Sequence, residues 1–231
     1  QERGRILVDE NFQTSVPGVY AVGDVSARIQ LAHVASAQGT ACVERLAGSN
    51  PLTNLNAVPS CIYTDPEIAC VGLTADEAKA AGRAVKVGKY VMFSNGRTVI
   101  VQGQRGFIKV VADQETGVIL GAQLMCQRAT DMISQFTAAV VNGLTAQQLL
   151  AAMRPHPTFD EGAGEALEDL LAKLDPSLMS ALQELQSQLL NMLWQLVSSL
   201  SVVLVGGVSI ATSFATSLPG FLIRLLLMVI S

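Results

Sequence analysis

A histidine held between two prolines, Pro155-His156-Pro157, runs on into Thr158-Phe159-Asp160-Glu161. These residue types could move a proton. Pro157 fixes its own φ and biases His156 toward an extended backbone, so the imidazole stands on a stiff turn. Thr158 and Glu161 have the T-x-x-E spacing of a capping box opening a helix. The same geometry could bring Glu161 back toward His156. A carboxylate on one ring nitrogen orients an imidazole and leaves the other nitrogen free for proton transfer. A plain turn followed by a capped helix uses the same residues, so the spacing alone leaves both readings open.

A second constellation lies near the start. Val19 to Val22 reads as a short strand that ends in Gly23-Asp24, and Leu31 to Leu46 reads as a helix stopped by Gly48. Gly23 allows close backbone approach, Asp24 offers an acceptor for a hydroxyl, and a helix N-terminus favours negative charge. That geometry suits a cofactor, and it equally suits an ordinary strand–loop–helix joint. The chain has no G-x-G-x-x-G phosphate loop. Cys42, Cys61, Cys70 and Cys126 show neither C-x-x-C nor C-x₄-C spacing, so no metal site and no local redox disulfide is expected. Each falls in an apolar segment, which predicts reduced, buried thiols.

The elements that would position these residues follow in order. Ile6 to Val8 is a short apolar run that reads as a strand. Val58 to Tyr63 and Ile68 to Val71 read as strands around the turn Thr64-Asp65-Pro66-Glu67. Thr74 and Glu77 form a capping box for a helix that stops at Gly82. Val85 to Phe93 is strand-like, and Asn95-Gly96 is a turn signal. Phe107 to Ala112 and Val118 to Leu124 alternate as a hairpin across Asp113 to Gly117. Ala129 to Val141 and Thr145 to Met153 then read as helices leading into His156. Strands clustered together and followed by helices indicate an α+β fold with a largely antiparallel sheet.

Bulk composition narrows the partners. At 231 residues the chain can bury a proper core, and a net charge of −4 without a basic run argues against nucleic acid. Charged residues make up only 15% and are absent between Glu184 and Arg224, so the polar body and the C-terminal part obey different physics. The first residue is Gln1, which reads as the middle of something longer.

Four blocks together resemble one family. Thr14-Ser15-Val16-Pro17-Gly18-Val19-Tyr20-Ala21-Val22-Gly23-Asp24 resembles the second flavin-binding motif of the FAD-dependent pyridine nucleotide–disulfide oxidoreductases. Leu31-Ala32-His33 resembles the dihydrolipoamide dehydrogenase branch, as does Tyr63-Thr64-Asp65-Pro66-Glu67-Ile68-Ala69 with Val71-Gly72. His156-Pro157-Thr158 with Glu161 resembles that family's C-terminal His–Glu pair. Over residues 1–50 the resemblance implies the end of an FAD-binding domain, and over 57–171 an antiparallel-sheet dimerisation domain. It implies that Gly23, Asp24, Leu31, Ala32 and His33 contribute to the FAD site, with Asp24 on the ribitol. His156, oriented by Glu161, would take a proton from dihydrolipoamide at the partner's flavin and disulfide in a homodimer. The implied acceptor is NAD, and the implied partners are an N-terminal half or the lipoyl domains of a 2-oxoacid dehydrogenase complex. The reactive C-x₄-C pair, the first FAD fingerprint and the NAD site are not in these residues, so the FAD site is incomplete and the NAD site absent.

Residues 172–231 lie outside the resemblance and are expected to form a hydrophobic helical tail. Asp175-Pro176 is a helix start, and Leu178, Leu182, Leu185, Leu189, Met192 and Leu196 keep a 4–3 spacing. That stripe reads as a core-facing face, with a coiled-coil seam as the alternative. Val197 to Leu218 is uncharged for about the 20 residues a bilayer crossing needs. Pro219-Gly220 would break it, and Phe221 to Ile230 is too short to span alone. A membrane anchor, a hydrophobic partner-binding tail and a non-native extension all fit, so the expected location is cytoplasmic, with membrane association through residues 190–231 as the second expectation. The rival to an enzyme is a noncatalytic dimerisation module with such an anchor.

Overall fold

The structure, a computed structural model, describes residues 4–26 and 29–205, which fall into two units, Gln1–Leu174 and Asp175–Ser231. The first unit is built on a five-stranded antiparallel sheet. Its strands are β1 (Ser60–Ile62), β2 (Ile68–Gly72), β3 (Val85–Val91), β4 (Phe107–Asp113) and β5 (Ile119–Met125), in the order β1-β2-β5-β4-β3. The β4–β5 hairpin forms where alternation predicts it. Asp113 Oδ1 ties the turn by accepting from the Glu115 and Thr116 N–H groups. The Thr116 N–H and hydroxyl, then Arg83, hold the Asp113 carboxyl down at about 2.

One face of the sheet carries two helices. α4 (Ala129–Asn142) lies on β2 and β5, and α6 (Glu161–Leu174) on β3 and β4. Met132, Ile133, Phe136 and Ala139 of α4 recur at helical spacing and are buried, as are Ala163, Ala166, Leu167 and Leu170 of α6. They meet Ile108, Val110, Ala112, Ala122 and Leu124 of the sheet in one core. α4 needs no residue of its own as a cap. Glu67, from the turn between β1 and β2, accepts from the Thr130 N–H at 2.9 Å and hydroxyl at 2.7 Å. Gly143, at φ +61°, ends the helix, and the Leu144 N–H returns to Ala139 O at 2.9 Å. The short α5 (Ala146–Leu150) opens on a capping box between Thr145 and Gln148. On the opposite face, α2 (Ala75–Ala80) opens on the Thr74–Glu77 capping box and covers Val111 and Leu120.

Four local expectations fail for identifiable reasons. Residues 6–8 form no strand, and Val19–Val22 contributes only the isolated bridge Gln13↔Tyr20 before Gly23–Val25 closes a 3₁₀ turn. Neither run finds a neighbouring strand among the described residues, and an unpaired strand has no ladder to stabilise it. The second failure is Asn95-Gly96, which is a helix start instead of a turn. Asn95 Oδ1 accepts from the Thr98 N–H and caps α3 (Gly96–Ile100). Third, Thr158–Glu161 makes half a capping box. Glu161 Oε2 accepts from the Thr158 N–H at 2.8 Å, while the Thr158 hydroxyl turns away to donate to Pro155 O. Fourth, only Cys42 and Cys126 are buried; register places Cys70 opposite Ser60 and Gln123 on the open face, where it is exposed. Burial, then Glu67, pushes the Cys126 thiol up to about 12.

Around Gly23–Val25, α1 (Ala32–Leu46) packs through Ala41 and Cys42 onto Phe12, with Tyr20, Val22 and Leu55 around them. α1 stops at Gly48, whose φ of +76° lets the Ser49 N–H reach Glu44 O at 2.8 Å.

The second unit contains α7 (Pro176–Val205). Asp175 Oδ1 accepts from the Ser177 N–H at its start, as Asp-Pro predicts. Leu185, Leu189 and Met192 are exposed on this helix, so the predicted core-facing stripe is not buried among the described residues. No described helix is long and apolar enough to cross a membrane. Residues 206–231, with most of the uncharged run, lie outside the described residues.

Candidate active site

Two elements bring the proton-handling pair together. Residues 151–160 form the connection from α5 into α6, and Glu161 is the first residue of α6. His156 Nδ1 lies 2.6 Å from Glu161 Oε1, while Glu161 Oε2 takes the Thr158 N–H. An ionised carboxylate only accepts, so Nδ1 carries the hydrogen and Nε2 keeps its lone pair. The environments of the two differ. The His156 side chain is 68% exposed and the Glu161 side chain 17%. The partly buried carboxylate is an anchor, and the imidazole edge is presented outward. The His156–Pro157 peptide is cis.

The connection itself is tied at several points. Phe159 packs against the main core, and Asn95 Nδ2 donates to Thr158 O at 2.9 Å. Asn95 is itself 3% exposed and fixed by its role as a helix cap. Arg154 and Asp160 flank the connection, and Gln135 of α4 reaches both. Sequence reasoning does not reveal this last group, because Gln135 comes from another element.

Behind Glu161 the outward side of α6 carries Glu165 and Glu168. Burial, then Glu168 and Glu161, pushes the half-buried Glu165 carboxyl above its ordinary range. Its folded value therefore exceeds the unfolded reference of about 4.3, and the folded chain binds that proton more tightly. The charged form costs stability at neutral pH, and this cost fades as pH falls through the raised value and is gone below the reference. Glu165→Gln is accordingly expected to raise the urea midpoint at about pH 7 and to lose that advantage near pH 4. Chemical denaturation at the two pH values checks it.

The second cluster has its own geometry. Gly23 sits at φ +74°, its N–H donates to Gln38 Oε1 at 2.8 Å, and an added Cβ would come 2.9 Å from Ala35 Cβ. Only glycine lets this turn seat on α1. Asp24 is exposed beside it. α1 begins after Leu31 without a side-chain cap, so the first N–H groups, at Ala32 and His33, point out of the helix end toward any acceptor placed there. His33 Nε2 lies 2.8 Å from Pro59 O, which makes it a positioned side chain. A glycine cradle, an exposed carboxylate and an uncapped helix N-terminus fit a hydroxyl-bearing, electron-accepting group such as a flavin.

Residues 58–167 match the model of the pyridine nucleotide-disulphide oxidoreductase dimerisation domain, and residues 1–39 match that of pyridine nucleotide-disulphide oxidoreductases. A dihydrolipoyl dehydrogenase from Bacillus subtilis is 45% identical over 166 residues, covering 71% of this chain and 35% of that protein. LpdA from Mycobacterium tuberculosis superposes with a TM-score of 0.67 at 27% identity, over 71% of this chain and 36% of that one. The HOCl-induced flavoprotein disulfide reductase RclA from Escherichia coli gives a TM-score of 0.66 at 25% identity, over 76% and 40% of the two chains. The chain spans about a third of the length of the curated relatives it matches.

Proposed function

We propose, for a chain whose residues 58–167 carry the dimerisation domain of the pyridine nucleotide-disulphide oxidoreductases, that it is the C-terminal portion of a flavoprotein oxidising dihydrolipoamide to lipoamide with NAD as acceptor. Residues 1–50 are read as the end of an FAD-binding domain, 57–171 as the dimerisation domain and 172–231 as a hydrophobic tail. The observation that carries this reading is the 2.6 Å contact that leaves His156 Nε2 outward with its lone pair. The identity to dihydrolipoyl dehydrogenases favours the dithiol as substrate.

Thiols with a pKa near 8.5 are mostly protonated at neutral pH, and the thiolate is the species that attacks a disulfide. His156 Nε2 takes the S–H proton of dihydrolipoamide, and the resulting thiolate displaces one sulfur of a redox disulfide. Glu161 holds the imidazolium through Nδ1 until the proton is returned. Gly23, Asp24 and the α1 N-terminus at Leu31, Ala32 and His33 would hold FAD, which when bound accepts the electron pair from the reduced disulfide. In this reading a second copy in a homodimer completes the substrate site around the exposed His156, which the match to a dimerisation domain supports.

The test uses a protein containing this chain together with a flavin- and disulfide-bearing half. Rapid mixing with dihydrolipoamide should bleach the oxidised flavin, and NAD should restore it. A flavin that stays oxidised with dihydrolipoamide but is reduced by NADH removes the substrate assignment. Failure of both leaves the noncatalytic dimerisation module as the better reading.

A further inference from the structure

The residues that bracket the His156 connection are joined across its base. Arg154 lies two residues before His156 and Asp160 ends the connection, and their side chains meet, with Nε 3.3 Å from Asp160 Oδ2. Only 9% of the Arg154 side chain is exposed. A guanidinium this buried needs partners. Nη1 donates to Ala152 O at 3.1 Å and Nη2 to Gln135 Oε1 at 3.2 Å, and the Gln135 amide donates on to Asp160 Oδ1. Nε, by contrast, has no aligned acceptor; its contact with Asp160 is ionic. The three side chains therefore close a ring that is tied to α4 through Gln135. Arg154 also lies against α6, where a Cβ on Gly164 would stand 3.5 Å from its Cδ.

We propose that Arg154, Asp160 and Gln135 are positioning residues that clamp the ends of this connection and so hold His156 Nδ1 on Glu161. The proposal rests on His156 as the proton acceptor. Asp160 is the residue before Glu161, so a shift of the helix start moves the carboxylate that His156 must meet. His156 is mostly exposed, and among the described residues its ring is held by Glu161 alone. Its orientation is then only as sharp as the separation of residues 154 and 160.

The tautomer of His156 reports that orientation directly. The chain has two histidines, so ¹⁵N-histidine labelling of the full chain gives two ring systems, and His156→Ala assigns them. Spectra at about pH 8.5, two units above the reference imidazole value, read neutral rings. A bond from Nδ1–H to a carboxylate should hold the Nδ1–H form in roughly tenfold excess or more. Asp160→Asn, close to isosteric, and Arg154→Met, which keeps the apolar stem, should each bring the excess below about threefold. Arg154→Lys, which returns a cation to the ring, should recover part of it. Circular dichroism checks that each variant is folded.

A folded Asp160→Asn with the wild-type tautomer excess overturns the proposal. So does loss of fold in Asp160→Asn, because the residue would then serve the fold as a whole. If Arg154→Met does not fold, Asp160→Asn decides alone. The spectra need neither flavin nor substrate, so an error in the assigned reaction leaves them unchanged. Conversely, an unaltered spectrum removes the clamp and leaves the His156–Glu161 assignment standing.

Discussion

His156→Ala, in a protein that joins this chain to a flavin and disulfide half, is expected to slow reduction of the flavin by dihydrolipoamide by roughly 10²–10⁴, the usual range for a lost general base. Alanine leaves the turn and the Glu161–Thr158 bond in place, because His156 is exposed and Glu161 Oε2 is bound to backbone. The loss therefore falls on proton transfer and spares the fold. Glu161→Gln is a subtler change. If the amide oxygen keeps the Thr158 N–H, its NH₂ faces Nδ1 and selects the tautomer with hydrogen on Nε2, which cannot accept a proton. The reverse orientation sets NH₂ against the Thr158 N–H, two donors together. Either way a loss of roughly 10–10² follows from one displaced hydrogen bond to a charged group. Reduction of an artificial acceptor by NADH needs no thiol proton and should survive both changes. Stopped-flow measurement of the two half-reactions separates the outcomes. A His156→Ala protein that is reduced by dihydrolipoamide at the unaltered rate would return His156 to a structural turn residue.

That pair was legible because it is short-range. His156 and Glu161 are five residues apart, and proline stiffness with helix-start chemistry suffices to bring them together. The capping box at Thr74 and the β4–β5 hairpin are local in the same sense. Where a residue type serves two local structures, sequence alone does not choose. Asn95-Gly96 suits a turn, but Asn95 also caps α3 while its amide holds Thr158 O, 63 residues away. The strands expected at 6–8 and 19–22 fail for a different reason, since a strand exists only with its neighbour. Gln135 is invisible for a third. Its partners lie 19 and 25 residues further on, and only the packing of α4 beside α6 makes them adjacent.

Gly88→Ala is expected to be strongly destabilising, and the reason is again a contact far apart in sequence. Gly88 sits in the middle of β3, where glycine ordinarily weakens a strand, and its φ is not in the left-handed region. Its role is proximity. A Cβ there would come 2.1 Å from Ala166 O, 2.5 Å from Leu170 Cβ and 2.8 Å from the Leu170 nitrogen. Two of these atoms are helix backbone, which cannot rotate aside as a side-chain tip can. α6 would have to lift from β3, opening the core at Ala166, Leu167 and Leu170 and loosening the Lys89 N–H bond to Asp169. Overpacking by one methyl commonly costs 1–3 kcal/mol, and a backbone clash belongs at the top of that range, about 3 kcal/mol. Gly39, in α1, makes the matched control. A Cβ there meets nothing within 4 Å, so Gly39→Ala should stabilise its helix by about 0.5–1 kcal/mol. Urea unfolding of both variants reads the contrast. Because Glu161 starts the helix that must lift, Gly88→Ala should also weaken the His156–Glu161 contact at urea concentrations where the chain is still folded. An unfolding midpoint for Gly88→Ala equal to that of the unaltered chain would mean that α6 does not sit on β3 as described.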